Sequence, residues 1–100
     1  MKTASLRVVF RLPECRSLKE KRRVRNKIRD RVRARFDVAI NEVEAQDEHR
    51  QLVFGVAAVG NDAQVLGTLL DKVLRFVDDL YVAERVATER QVASFFDDDY

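Results

Sequence analysis

Residues 6–36 hold two different hydrophobic periods that meet at a single proline. Every second residue from Leu6 to Leu12 is apolar, which is the period of a half-buried strand, and Pro13 ends it. Ser17 and Glu20 then form a capping box, the signature of a helix start. One narrow apolar stripe follows at helical spacing, formed by Leu18, Val24, Ile28, Val32 and Phe36. A strand therefore leads directly into a helix.

The remaining residues predict two more strands, a second helix and a closing strand. Residues 38–45 predict a strand with an irregularity near Asn41 and Glu42, because the apolar positions change parity there. Residues 52–59 are apolar on both parities, as in a central strand. Asn61 or Asp62 is the expected N-cap of a more apolar helix over residues 65–80, and residues 83–92 predict a final edge strand.

The order β-α-β-β-α-β predicts an α+β fold of the ferredoxin-like type. In this fold a four-stranded antiparallel sheet carries both helices on one face. We expect one such domain over residues 1–94 and an acidic, flexible tail over residues 95–100.

The first strand would send Arg7, Val9 and Arg11 to the open face of the sheet. That face would be partly apolar and partly basic, which favours a homodimer formed through a sheet face or edge.

The positive charge of the chain is concentrated in the first helix. Residues 16–35 contain eleven of the 19 lysines and arginines and only two acids, so this segment carries +9 and the rest of the chain −7. Like charges recur four residues apart, at a cost of about 0.2–0.5 kcal/mol per pair. A face kept for solubility alone would place acids between them. The pattern predicts an anion-binding surface, and a merely solvated helix face is the alternative.

Helical geometry selects the candidate contacts to an anion. Lys19, Arg23, Lys27 and Arg33 point away from the apolar stripe, and Arg22 and Arg29 lie along one shoulder of it. The candidate nucleic-acid-binding residues are Arg16, Lys19, Arg22, Arg23, Lys27, Arg29 and Arg33.

These cations predict a non-enzymatic module that binds structured RNA through phosphates. The open-face positions lack the aromatic side chains that stack bases in the common single-stranded RNA module of this fold. The alternative function is a protein-interaction or assembly module. In that case the basic helix docks on an acidic partner and the open sheet face joins two copies.

The composition indicates in which cellular compartment the protein is expected. Cys15 is the single cysteine, so an internal disulfide is excluded and a reducing cytoplasm is expected. Its place near Arg16 and the helix start allows a lowered thiol pKa, whereas a lone cysteine is more often a packing residue. The longest apolar run is too short to cross a membrane, and Arg7 and Arg11 interrupt a signal-peptide pattern. We expect no cofactor and no metal site.

Several motifs resemble the YlxP-like family of small bacterial proteins. They are RSLKEKRRV at residues 16–24, Arg35-Phe36, Glu42-Val43, Gln46-Asp47 and GVAAVGND at residues 55–62. The resemblance covers residues 4–90 and implies a ferredoxin-like domain linked to ribosome maturation and translation, without catalytic residues. This chain departs from the family at Arg25, where an apolar residue is usual, and at His49 and Gln51, where tryptophan and arginine are usual.

An enzymatic function of the acylphosphatase type is the remaining alternative. Residues 13–17 offer Arg16 at a helix N-terminus, which is a natural anion site. The glycine-rich loop of that family is missing, however, and Glu14 would repel the substrate. The sequence therefore predicts no enzymatic activity.

Overall fold

The computed structural model describes residues 1–95 and confirms the predicted order of elements. The bounds are β1 Lys2–Arg11, α1 Leu18–Arg35, β2 Ala39–Glu44, β3 Gln51–Gly60, α2 Ala63–Asp78 and β4 Glu84–Ser94. The strands form one antiparallel sheet in the order β2-β3-β1-β4. The fold is thus the predicted ferredoxin-like one. Of the predicted acidic tail, residues 96–100 lie outside the described part of the chain.

The two central strands supply most of the core. Leu6, Val8, Phe10 and Leu12 are each 2–3% exposed and pack with both helices, as their alternation predicts. Phe54 of β3 joins them from the neighbouring strand, where it lies opposite Val8. Because these side chains all leave the same face of the sheet, α1 and α2 must cover that face, and the other face remains open.

The start of α1 departs from a reciprocal capping box by one residue. Ser17 Oγ accepts a hydrogen bond of 3.2 Å from the Glu20 N–H, as predicted. The Glu20 carboxylate, however, accepts from the backbone N–H of Arg16 rather than from that of Ser17. Two hydrogen bonds therefore hold the loop before α1 to the first turn of the helix: the helix donates in one of them and the loop donates in the other.

A bulge in β2 falls close to the predicted irregularity. The pairing of β2 with β3 shifts between Glu42 and Glu44, which leaves Val43 as the inserted residue. Val43 then lies over Gly55, and a Cβ at Gly55 would come within 2.9 Å of Val43 Cγ1. A larger residue at Gly55 would force the Val43 side chain to move, so glycine suits the close approach of β3 to the bulge.

α2 begins at Asp62, whose carboxylate accepts from the Gln64 and Val65 N–H groups at 2.9 and 3.3 Å. Its buried stripe is Leu66, Leu70, Val73 and Val77. Val65 was included in the apolar helix by sequence, but it is 63% exposed because it lies about 100° around the helix from Leu66.

One charged side chain of α1 is buried, and the sequence reading did not anticipate it. Lys21 is 1% exposed, and its Nζ donates to the carbonyl oxygens of Ala45 and Glu48 at 2.6 and 2.7 Å. Nζ also lies 2.7 Å from Glu42 Oε2, an oxygen that accepts no well-aligned hydrogen bond within residues 1–95. Electrostatic attraction therefore joins the pair, and it ties α1 to β2 and to the β2–β3 connection.

Replacing Lys21 by methionine should destabilise the fold strongly. Lys21→Met keeps the side-chain volume but leaves the buried Glu42 carboxylate with Arg25 alone, at 3.2 Å. The expected loss in the free energy of unfolding is about 3 kcal/mol, measured by urea denaturation. Lys27→Met, on the exposed side of the same helix, should change it by about 0.5 kcal/mol or less. Equal losses in the two variants would contradict a structural role for the buried pair.

Candidate nucleic-acid interface

The solvent side of α1 carries a row of exposed cations. Lys19, Arg23, Lys27 and Arg31 follow one another at intervals of four residues, and Arg22 lies beside them. At 1.5 Å rise per residue the row spans about 18 Å along the helix axis. We call these five residues the cationic row. Their spacing lets each side chain contact a different phosphate of a polyanion.

The cationic row lacks acidic partners within the described residues. No Asp or Glu of residues 1–95 forms an ion pair with Lys19, Arg22, Arg23, Lys27 or Arg31. Asp30 is the exposed acid of α1, and its Oδ1 accepts from Arg29 Nε at 2.9 Å. Within residues 1–95, at least five positive charges of α1 are therefore left for solvent or for a ligand.

The other predicted site residues have different surroundings. Arg16 is exposed in the loop just before α1. Arg29 is half-buried beside Asp30. Arg33 Nη2 donates to Ile40 O at 2.8 Å and to Asn41 Oδ1 at 2.9 Å, so its guanidinium is anchored on β2. The structure thus brings Lys19, Arg22, Arg23 and Lys27 together and places Arg16, Arg29 and Arg33 at the margins of the cationic row.

Arg31 belongs to the cationic row but was missed as a candidate. The choice from sequence followed the angle to the apolar stripe, and that angle places Arg31 nearer to the core side. The four-residue interval from Lys19 through Arg23 and Lys27 was the signal that could have found it. Each step of four residues turns about 40° around the helix, so Arg31 lies about 120° from Lys19, and its side chain is nevertheless exposed.

Comparison with known proteins agrees with the family resemblance of the sequence motifs. A family model described as "Protein of unknown function (DUF503)" matches residues 3–90. The chain belongs to this family. It is also 39% identical over 75 residues to "Uncharacterized protein YlxP" of Bacillus subtilis strain 168, covering 75% of this chain and 82% of that protein. The YlxP-like resemblance seen in the sequence is therefore confirmed, and neither description states an activity.

The end of α1 in this DUF503 domain is held by aromatic rings. The Arg35 guanidinium carbon lies 5.0 Å from the ring centroid of Phe76 and 6.0 Å from that of Phe36. The two rings meet edge to face with centroids 5.5 Å apart. This contact joins the last turn of α1 to α2 and keeps Arg35 apart from the cationic row.

The open face of the sheet is less basic than predicted. Arg7 reaches across Gly55, donating to both Glu44 carboxylate oxygens at 2.9 and 2.6 Å, and it donates to Glu89 at 2.8 Å on the other side. Val9 and Val53 are buried below this network, at 8% and 1% exposure. Arg7 lies on the open face as predicted, but its positive charge is neutralised there, because β2 and β4 each supply a carboxylate to it.

Cys15 is buried in the loop before α1. Desolvation raises the pKa of its thiol, and the nearby Glu20 carboxylate raises it further, against a smaller opposite effect of Lys21. The thiol is therefore protonated at neutral pH, and the lowered pKa considered from sequence is wrong. Cys15 packs as a small apolar residue against the core.

Residues 1–95 contain neither a membrane-spanning helix nor a cluster of metal-binding side chains. No helix in this part of the chain is long and apolar enough to span a membrane. The same residues contain no group of three or more His, Cys, Asp or Glu side chains placed to hold a metal ion. Among the acids of residues 42–48, Glu42 and Glu44 lie against basic side chains.

The contact between Arg7 and Glu44 predicts a stability that depends on pH. Hydrogen bonding by Arg7 lowers the pKa of Glu44 in the folded state. This stabilisation is present above the ordinary glutamate pKa of about 4.3 and is lost as the pH falls through the lower folded value. Between about pH 6 and about pH 3, the Tm of Glu44→Gln should therefore fall by less than the Tm of the native chain. The measurement is thermal unfolding followed by circular dichroism, with Glu14→Gln as an exposed control that should follow the native curve.

Proposed function

We propose that this protein is a non-enzymatic module that binds structured RNA through the cationic row of α1. The observation that carries the proposal is the exposure of Lys19, Arg22, Arg23, Lys27 and Arg31 around the solvent side of α1 without an acidic partner in residues 1–95. Arg7, Arg85 and Arg90 of the same molecule each lie on a carboxylate. The contrast supports a ligand that supplies negative charge from outside.

The energetics of α1 support the same proposal. Lys19, Arg23, Lys27 and Arg31 give three like-charge pairs at four-residue spacing, and each pair costs about 0.2–0.5 kcal/mol in an isolated helix. Lys19 also lies in the first turn, where the helix dipole disfavours a cation. Phosphates placed along the row would remove both costs. A helix that served only for solubility gains nothing from this arrangement.

Phosphate contact is the mode of binding that these side chains favour. The open-face positions of β1 and β3 offer no aromatic ring on which a base could stack. Duplex RNA is recognised mainly through its shape, phosphates and ribose hydroxyls. We therefore infer ribosomal RNA or a ribosome assembly intermediate as the target, in the cytoplasm, with low sequence selectivity.

The loop before α1 argues against catalysis on a phosphorylated substrate. Glu14 and Arg16 are both exposed in this loop, so a carboxylate stands two residues from the arginine that would hold the substrate. Cys15, between them, is buried and protonated and is no nucleophile at neutral pH. The proposal accordingly includes no enzymatic activity.

A salt titration of RNA binding tests the proposal. Fluorescence anisotropy with a labelled ribosomal RNA helix should give a logarithmic affinity that falls linearly with the logarithm of salt concentration, because bound cations release counterions. Lys27→Gln and Arg23→Gln should each weaken binding and lower the slope by about one unit.

The matched control is Arg11→Gln. Arg11 is an exposed arginine of β1 on the parity of the open face, opposite the helices, and its replacement removes the same charge. The slope should then stay at the native value. Equal weakening by Arg11→Gln and Lys27→Gln would show that net charge, rather than the cationic row, drives the binding. Absence of RNA binding at low salt would overturn the proposal.

A further inference from the structure

β4 is an edge strand that the fold leaves uncovered. All eleven residues from Glu84 to Ser94 are exposed, and β1 is the only strand of residues 1–95 that pairs with it. Its outer side therefore presents a row of backbone N–H and C=O groups without a neighbouring strand. A long edge of this kind is a template for pairing with another chain.

The opposite edge of the sheet is protected, and β4 is not. β2 has six residues, and the bulge at Val43 interrupts its register. A short and irregular strand is a poor partner for a second strand. β4 has eleven residues and no proline, and its one irregularity lies near its start, where the partners of Val9 and Phe10 shift register. The regular part of the edge runs from Ala87 to Ser94.

The charges on β4 are neutralised from within its own subunit. Three of its four charged residues form ion pairs of 2.5–2.8 Å with β1 or α2, so their charges are compensated on the side away from the edge. The pairs are Arg85–Asp78, Arg90–Asp71 and Glu89–Arg7. An electroneutral edge does not repel an identical strand, and it offers nothing to phosphates.

The position of α1 selects the edge at which two copies can meet. α1 packs on β2, whereas α2 packs on β1, β3 and β4. Pairing of two copies through β2 would bring two segments of charge +9 together. Pairing through β4 places the two α1 helices about seven strand spacings apart, which is about 34 Å. This distance exceeds the Debye length of about 8 Å at physiological ionic strength, so their repulsion is screened.

We propose that β4 pairs antiparallel with β4 of a second copy about a two-fold axis. The product is one eight-stranded sheet with the order β2-β3-β1-β4-β4-β1-β3-β2. Its interface is isologous, since the same strand serves both subunits. The two cationic rows lie at the outer ends of the helix layer. The dimer does not depend on RNA binding, and either proposal can fail without the other.

Sedimentation velocity of the full chain over a range of concentrations tests this dimer. The native protein should sediment as a dimer, and Val92→Lys, on the regular part of β4, should raise the dimer dissociation constant roughly tenfold or more, because each strand then carries an added charge at the shared edge. Val59→Lys is the control. Val59 is also an exposed valine, but it lies on the central strand β3, away from either edge, and its replacement should leave the dimer intact.

Cysteine cross-linking gives a second, independent readout. In a Cys15→Ser background, single cysteines placed in turn at residues 87–91 of β4 should yield at least one disulfide-linked dimer near the two-fold axis. Asn41→Cys on β2 should yield none. A native protein that is monomeric at every concentration overturns the proposal. So does a dimer that survives Val92→Lys but is lost with Val59→Lys, which would locate the interface on the open sheet face.

Discussion

The buried ion pair of Lys21 and Glu42 fixes how α1 sits on the sheet. An ammonium group without solvent is costly unless oxygen atoms surround it, and here two backbone carbonyls and a carboxylate do so. One of these carbonyls belongs to Ala45, which adopts the left-handed region at φ 56°. Since all three oxygens lie on β2 or in the β2–β3 connection, they determine the rotation of α1 about its own axis. That rotation turns the cationic row toward solvent.

α1 consequently carries two kinds of cation with opposite surroundings. Lys21, Arg25 and Arg33 contact β2 and hold the helix in place. The cationic row on the other side has no such contact within the described residues. A single acid, Glu42, pairs with both Lys21 and Arg25, so its negative charge offsets part of the repulsion between these two cations. The members of the cationic row, in contrast, repel one another without an acid of residues 1–95 between them, and this row is the part proposed to meet RNA.

Much of the fold could be predicted from local patterns, whereas the site could be predicted only in part. The alternation in β1, the capping residue Ser17 and the stripe through Ile28 and Val32 are local features, and the structure confirms them. The burial of Lys21 left no comparable signal. It is one of eleven basic residues in its segment, and its partner Glu42 lies 21 positions away on a bulged strand. The anchoring of Arg33 and the neutralisation of Arg7 were missed for the same reason.

The sequence by itself determined the secondary structure, the order of the strands and helices, and the concentration of positive charge in α1. These follow from hydrophobic period, capping chemistry and composition, which act over a few residues. The tertiary structure decided which of those cations stay exposed, which arginines of the sheet are neutralised, and which strand remains uncovered. Such outcomes depend on contacts between residues far apart in the chain, because burial and ion pairing are properties of a surface and not of a segment.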